Sequence, residues 1–195
     1  MNKPIVKVDL FREIVEKTQN AIVGKTRSGA SMTLLDQLID YDPKITGIHY
    51  HHGHPIEIDE TLIQAANGTG SKFKRFPLIA LFQPFTETMS TDGFYSDDVY
   101  HLIIARGTEA EYKASKRYEV NFKPILYPIY FQFMEQIRLS KYFEIVSGDS
   151  FPHVKIDMPF YGKKGDYGSI ANIFSDKVDC IDIENLKLRV KTKNC

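Results

Sequence analysis

The segment from Phe73 to Leu139 constrains the fold most, because two dense apolar runs are followed there by a long aromatic run. Pro77 to Phe85 is apolar at both alternating positions, which is typical of a strand covered on both faces. Val99 to Ala105 has a similar pattern and predicts a second strand. Asn121 to Ser140 repeats apolar residues every three or four positions, as a helix does.

The segments before this centre predict two helices and one strand. Val8 to Val23 has apolar residues at nearly helical spacing and predicts an amphipathic first helix. Ile45 to His54 is predicted as a strand that Pro55 ends. A short helix over Glu60 to Ala66, capped by Asp59, is expected next.

Two further runs follow the long helix. His153 to Met158 alternates, which predicts a strand with one wet face and with Val154, Ile156 and Met158 facing inward. Val178 to Lys191 changes phase between Ile183 and Leu186, so it is either two strands or one strand with a bulge.

This element order predicts an α+β fold. We expect a mostly antiparallel sheet of four to five strands, with the N-terminal helix and the long central helix packed on one face. Residues 1–195 are expected to form a single domain. Long loops are expected at about 86–98 and 159–177, the first because it is too long for a tight hairpin turn.

Composition excludes some classes of function. The chain has 25 basic and 25 acidic residues, so it lacks the excess positive charge that draws nucleic-acid binders to phosphate. Its two cysteines do not form a disulfide scaffold or a C-x-x-C metal pair. No run approaches the ~20 apolar residues that span a bilayer, so we expect a soluble protein made in the cytoplasm, with no membrane partner.

A histidine cluster is the most conspicuous candidate for chemistry, and it contains His49, His51, His52 and His54. On a strand, two of these imidazoles share each face, which can begin a zinc site with Glu57 or Asp59 as outside ligands. The alternative is a polar strand end that hydrogen-bonds or lines a subunit contact. We favour the alternative, because no H-E-x-x-H or cysteine spacing supplies the remaining ligands.

Two glycine-containing loops invite a phosphate-binding interpretation. Asn67 to Lys72 lacks the glycine directly before lysine that a phosphate loop needs, so we interpret it as an ordinary loop. Gly162, Gly165 and Gly168 are interleaved with basic and aromatic side chains, Lys163, Lys164, Tyr161 and Tyr167. This second segment fits a small nucleic-acid-binding adaptor or, as we favour, a loop that orders against a neighbouring protein.

The long helix carries more apolar surface than packing on one sheet requires. One stripe of apolar residues along this helix is predicted to lie in the core. A second set widens the apolar arc and predicts a subunit interface, unless the N-terminal helix covers it; its members are Tyr127, Tyr130, Phe131 and Met134. No G-x-S-x-G elbow or catalytic constellation is visible, so neither an enzyme nor a cofactor is expected.

Three motifs carry a resemblance to a known family. They are H-x-G-H-P-x-E from His51 to Glu57, R-F-P-L-I-A-L-F from Arg75 to Phe82, and N-F-K-P-I-L-Y-P-I-Y at the start of the long helix. Over His49 to about Ile137 the chain resembles tail-completion, tail-terminator and head-to-tail neck proteins of tailed bacteriophages, as in phages of Bacteroides-type bacteria.

The resemblance implies a tail-terminator-like α+β subunit of the virion that forms a homo-oligomeric ring, six- or twelve-fold, in the head-to-tail connector or upper tail. Its partners would be portal, neck or tail proteins, and DNA would pass through the ring without sequence-specific binding. Tyr161 and Tyr167 join the interface candidates, and Asp92, Asp97 and Asp98 are candidates for the channel lumen. A metal-binding enzyme centred on the histidine cluster and a nucleic-acid adaptor are the alternative functions.

Overall fold

The computed structural model describes residues 5–23, 45, 47–67, 75–144, 151–161 and 177–192. A nine-residue π-helical segment, Tyr118–Leu126, joins the third helix to the fourth. The helices are α1 (Lys7–Ile22), α2 (Pro55–Asn67), α3 (Ala114–Arg117) and α4 (Tyr127–Leu139). The strands are β1 (His49–Gly53), β2 (Leu78–Met89), β3 (Tyr95–Gly107), β4 (Phe143–Glu144), β5 (Val154–Tyr161) and β6 (Val178–Lys191).

The strands form one six-stranded sheet in the order β1-β2-β3-β6-β4, with β5 also paired to β6. The β1–β2 pair is parallel and every other pair is antiparallel. The predicted α+β fold with a mostly antiparallel sheet is therefore confirmed, although the sheet is mixed and has six strands rather than four or five.

The larger core lies between one face of the sheet and the helices α1 and α4. Phe11 of α1 is fully buried, and its ring centroid lies 4.7 Å from that of Tyr100 and 6.3 Å from that of Phe133. The predicted N-terminal helix and the predicted core stripe are both confirmed. The stripe residues, all buried, are Phe122, Leu126, Ile129, Phe133 and Ile137.

The prediction that the N-terminal helix and the long central helix pack on one face is confirmed, and α2 in addition covers part of the opposite face of the sheet. Ile58 and Leu62 of α2 pack in a second core cluster with the second face of β2, including Leu78, Ala80 and Phe82. The physical reason is the double-sided apolar pattern of β2, which needs cover on both sides. We call the face of the sheet that packs against α2 the α2 face.

α2 begins at Pro55, four residues before the predicted cap Asp59. His54 precedes the helix, and its Nδ1 accepts a hydrogen bond from the backbone N–H of Ile56 at 3.3 Å. The Glu57 carboxylate in turn accepts from the backbone N–H of His54 at 3.2 Å. This reciprocal arrangement is that of a capping box, with imidazole in place of hydroxyl.

The expected loop at 86–98 is wrong, because most of these residues belong to β2 and β3 and form the far end of a β-hairpin. Thr86 pairs with Val99 and Met89 with Ser96. The turn is closed by Asp92, whose carboxylate accepts from Ser90 Oγ at 2.6 Å and from the backbone N–H of Phe94 at 2.9 Å. Polar side chains are compatible with these strands because the β2 side of the far end, from Thr86 to Met89, is exposed.

β5 is a strand as predicted, and Met158 packs against the second core, but Val154 and Ile156 do not face inward as predicted. Val154 and Ile156 are 47% and 37% exposed on the α2 face of the sheet. The polar side chains turn toward α4, where the hydroxyl of Tyr130 lies 2.8 Å from His153 Nε2. The tyrosines of α4 need polar partners, and this requirement decides the orientation of the strand.

β6 resolves the phase change between Ile183 and Leu186 as one strand with a bulge. Asn185 has a φ of 54°, and the register with β3 shifts between Tyr100 and Leu102. The bulge keeps both apolar runs of the strand facing the larger core. β1 is shorter than the predicted strand Ile45 to His54.

Several predictions concern residues outside the described ranges. They include the Gly68–Lys72 part of the first glycine loop, the 162–176 part of the second with Lys163, Lys164 and Tyr167, and Cys195. Cys180 is buried in β6. No helix in the described part of the chain has both the length and the apolar character needed to span a membrane.

Candidate functional site

Two irregularities lie side by side in the centre of the sheet. β2 shifts register between Phe82 and Thr86, where Pro84 lacks a ladder donor. On the other side of β3, Glu184 and Asn185 of β6 together oppose His101, because Tyr100 pairs with Leu186 and Leu102 with Ile183. A pocket of about 270 Å³ opens between the two irregularities. Bulges are frequent next to functional sites because they re-aim a side chain.

Three potential ligand groups converge beside this pocket: His101, Asp182 and Glu184. Their donor atoms all lie within 4.8 Å of one another. His101 Nε2 lies 2.6 Å from Asp182 Oδ1. Asp182 and Glu184 are two residues apart on one strand, so both carboxylates project from the α2 face. We call these three residues the His–Asp–Glu cluster.

The members of this cluster differ in their surroundings. The imidazole of His101 contacts the ring of Phe82 edge-on, with 4.8 Å between centroids. Asp182 has only 7% of its side chain exposed, whereas His101 has 39% exposed and can be reached from solvent. Cys180 lies on the same face of β6, but burial raises the pKa of its thiol well above the usual range. It therefore acts as a small apolar residue rather than a ligand.

The predicted histidine cluster does not converge. Within the described ranges, the His–Asp–Glu cluster is the only group of three or more such ligands close enough to hold a metal ion. His52 is exposed and His54 caps α2. Burial lowers the pKa of His49 and, aided by repulsion from neighbouring imidazoles, that of His51. The favoured interpretation, a polar strand end with hydrogen-bonding roles, fits this geometry better than a zinc site.

The aromatic residues predicted at a subunit interface divide into two groups. Tyr130 is buried within the chain, so it is wrong as an interface residue. Tyr127 is half-buried, and its hydroxyl donates to Asp157 Oδ2 at 2.8 Å; burial and that carboxylate raise the pKa of Tyr127. Met134 packs partly on the core, and only Phe131 is substantially exposed.

The partner that covers these tyrosines is not the one considered from sequence. α1 was the expected alternative cover, but β5 and the residue before it supply the contacts. Besides the bonds from Tyr127 and Tyr130, the ammonium of Lys155 lies 5.0 Å from the ring centroid of Tyr127. The backbone of Tyr161 ends β5, on the same strand.

The three aspartates predicted for a channel lumen also have different surroundings. Asp98 is wrong for this role, because it is buried with its carboxylate 2.7 Å from Lys7 Nζ and 2.5 Å from the Tyr100 hydroxyl. Asp97 is exposed but paired with Arg189 through two hydrogen bonds of 2.7 and 2.9 Å. Asp92 is exposed in the hairpin turn.

A second buried ionic group was not predicted from sequence. Arg117 Nη1 lies 3.2 Å from Asp179 Oδ1, and both side chains are buried. Asn121 donates to the same carboxylate at 2.6 Å, and Thr108 accepts from Arg117 at 2.7 Å. These bonds tie the π-helical segment to β6, which is a structural role.

Sequence reasoning also missed the His–Asp–Glu cluster. The available signal was Asp182-x-Glu184 within the predicted strand Val178 to Lys191, because alternation places two carboxylates on one face of a strand. His101 carried no such signal, since its place opposite Glu184 depends on strand pairing and on the bulge.

No protein-family model and no curated protein matches this chain.

Proposed function

We propose that this chain is a structural subunit that assembles with copies of itself into a ring in the head-to-tail connector or upper tail of a tailed bacteriophage. The resemblance of residues 49–137 to tail-completion and neck proteins supports the type of particle. The surface of β5 supports self-assembly. The proposed role is mechanical rather than catalytic.

The exposed apolar face of β5 is the observation that carries this proposal. Val154 and Ile156 are 47% and 37% exposed and lie next to each other on one face of the strand. β5 pairs with β6 on one side, and no described strand pairs with its other edge. An edge strand with apolar side chains is a template for pairing with another chain.

Phe131 extends this surface toward α4. Its side chain is 43% exposed, and its ring lies against that of Tyr130, with 5.3 Å between centroids. Tyr130 in turn contacts His153 immediately before β5. A strand added along β5 would therefore meet apolar groups from both faces of the sheet: Phe131 on one side, and Val154 and Ile156 on the other.

A second copy of this chain is the proposed occupant of that edge. β1 forms the opposite edge of the sheet. Two different edges at opposite ends of one sheet permit a head-to-tail contact, which closes into a ring when the rotation per subunit is suitable. Six or twelve copies are the proposed ring sizes.

The β2–β3 hairpin is the element that we assign to the channel side of the ring. Asp92 gives its turn a negative charge, while Asp97 is neutralised by Arg189. A channel wall without exposed positive charge lets DNA slide, because fewer phosphate contacts form. Portal, neck or tail proteins are the proposed neighbours above and below the ring.

The test combines sedimentation of the purified full chain with negative-stain microscopy. The wild-type chain should form regular rings with six or twelve times the mass of one chain. The double variant Val154→Lys with Ile156→Lys should be monomeric, because two charges in the contact must be desolvated. Met89→Lys, a change of an exposed apolar residue on the hairpin, is the matched control and should still form rings.

A wild-type chain that stays monomeric at every concentration would contradict self-assembly. Rings that persist in the β5 double variant would place the contact elsewhere. Mass spectrometry of purified virions addresses the particle itself, because a connector subunit must be present in mature particles in a fixed copy number.

A further inference from the structure

We propose that the His–Asp–Glu cluster, formed by His101, Asp182 and Glu184, is a divalent transition-metal site of the type that binds Zn²⁺. This site lies next to the ring contact proposed above, because Val154 and Ile156 pair with Glu184 and Asp182, but it shares no residue with that contact or with the histidines of β1. The metal would join β3 to β6 at the bulge.

The first argument is the donor set. One imidazole nitrogen and two carboxylate oxygens are ligands that Zn²⁺ accepts, with bond lengths of about 2.0–2.2 Å. In a tetrahedral site, bonds of that length place donor atoms about 3.3 Å apart. The observed donors lie within 4.8 Å of one another, and the closest pair is 2.6 Å apart. Small side-chain rotations would therefore bring all three to ligand distances.

The second argument is charge. Asp182 and Glu184 place two carboxylates close together, and no lysine or arginine in the described ranges forms an ion pair with either. Like charges at this separation repel each other, and the repulsion grows as water is removed. Asp182 is more than nine-tenths buried, so an added cation would stabilise a charge that water reaches poorly.

The third argument is the construction of the site. His101 stands opposite the extra residue of the β6 bulge, where regular ladder pairing is interrupted. Asn185, at φ 54°, forms the bulge and lines the pocket together with His101 and Glu184. The pocket of about 270 Å³ leaves room for a fourth ligand, such as water or a group from a neighbouring protein.

The alternative to a metal site is that His101 and Asp182 form only a hydrogen bond. That bond accounts for two of the three groups but not for the convergence of Glu184. The two interpretations make different predictions for Glu184. If the cluster binds Zn²⁺, replacing Glu184 lowers the Zn²⁺ affinity. If His101 and Asp182 form only a hydrogen bond, replacing Glu184 leaves that affinity unchanged.

Isothermal titration calorimetry of the full chain with Zn²⁺ tests the site. The protein for this titration is prepared without a polyhistidine tag, and a chelator first removes any bound metal. We expect one Zn²⁺ site per chain that weakens at least about tenfold in His101→Ala and in Glu184→Gln, since even outer-shell changes cost 10–100-fold at metal sites. Mg²⁺, which prefers all-oxygen sites, should bind much more weakly.

His52→Ala is the matched control, because His52 is exposed on β1 and lies outside the cluster. It should leave the affinity of the site unchanged. Co²⁺ provides a second readout: its visible absorption bands should appear in the wild-type chain and in His52→Ala, but be lost in Glu184→Gln.

Glu184→Gln keeps the size and polarity of the side chain. Its Zn²⁺ affinity therefore tests the proposal even if His101→Ala fails to fold. The proposal is overturned if the wild-type chain binds no Zn²⁺, or if Glu184→Gln binds it as tightly as the wild type. Loss of binding in His52→Ala alone would move the site to β1 and would equally overturn the proposal.

Discussion

Replacing Arg117 with methionine tests the buried ion pair that fixes the π-helical segment to β6. Arg117 is 5% exposed and Asp179 is fully buried, with 3.2 Å between Nη1 and Oδ1. Arg117 also donates to Thr108 at 2.7 Å and to the Glu109 carbonyl at 2.8 Å. Methionine fills much of the same space but donates none of these bonds. Removing one partner of a buried pair costs about 3–5 kcal/mol, and here the buried carboxylate loses a charged donor that lies 3.2 Å away.

Urea denaturation followed by circular dichroism measures this loss. With an m value of about 2 kcal/mol/M, the midpoint should fall by roughly 1.5–2.5 M without a change in slope. Adding Asp179→Asn to the Arg117→Met chain should recover part of the loss, because the buried negative charge is then removed. Asn121 remains available to bond the new amide.

Arg138→Met is the matched control. Arg138 also pairs with a carboxylate, that of Glu135, but its side chain is 54% exposed. Solvent screens such pairs, so the urea midpoint should hardly change. If Arg117→Met lowers the midpoint no more than Arg138→Met does, the assignment of a stabilising role to the buried pair is refuted.

Three further predictions concern β1, α4 and α2. Burial lowers the folded-state pKa of His49 and His51 below the ordinary 6.5. The unfolded chain therefore binds more protons than the folded chain below pH 6.5. The free energy of unfolding should accordingly fall as the pH decreases below 6.5. Thermal melts from pH 7.5 to 5 should show this fall, and a variant with glutamine at both positions should show a flatter profile; equal slopes would contradict the assignment. Phe133→Ala should cost about 3–5 kcal/mol in urea denaturation because the side chain is fully buried, whereas Phe131→Ala, at a 43% exposed position, should cost far less. Equal losses would show that Phe131 is also packed. His54→Ala should destabilise the fold by about 1 kcal/mol, because α2 loses its N-terminal cap. The same urea denaturation measures this loss, and an unchanged midpoint would show that His54 does not stabilise α2.

Local periodicity was enough to predict the elements whose environment is set by their own sequence. The stripe from Phe122 to Ile137 must face a core wherever the helix lies, because no other face of it is as apolar. The phase change between Ile183 and Leu186 likewise required a bulge or a break, since a continuous strand would turn one apolar run to the wrong face.

Predictions failed where a partner distant in sequence decides the outcome. The alternation of β5 indicated the correct strand but wrongly placed Val154 and Ile156 inside, because the tyrosines of α4 contact the polar side chains on the other face of this segment. Asp98 was predicted to lie in an exposed loop, but Lys7, which is 91 positions away along the chain, pairs with its carboxylate and makes its burial favourable. Neither partner can be identified from the local pattern.

The sequence by itself determined the α+β class, the N-terminal helix, the central helix and the apolar strands, because these depend on spacings within one segment. Only the tertiary structure decided that α2 covers the second face of the sheet and that His101 meets Asp182 and Glu184. Those contacts depend on strand register and on a bulge, so residues 81 positions apart along the chain are brought to 2.6 Å. Pairing between distant segments is set by the packing of the whole chain, and no local window of sequence contains it.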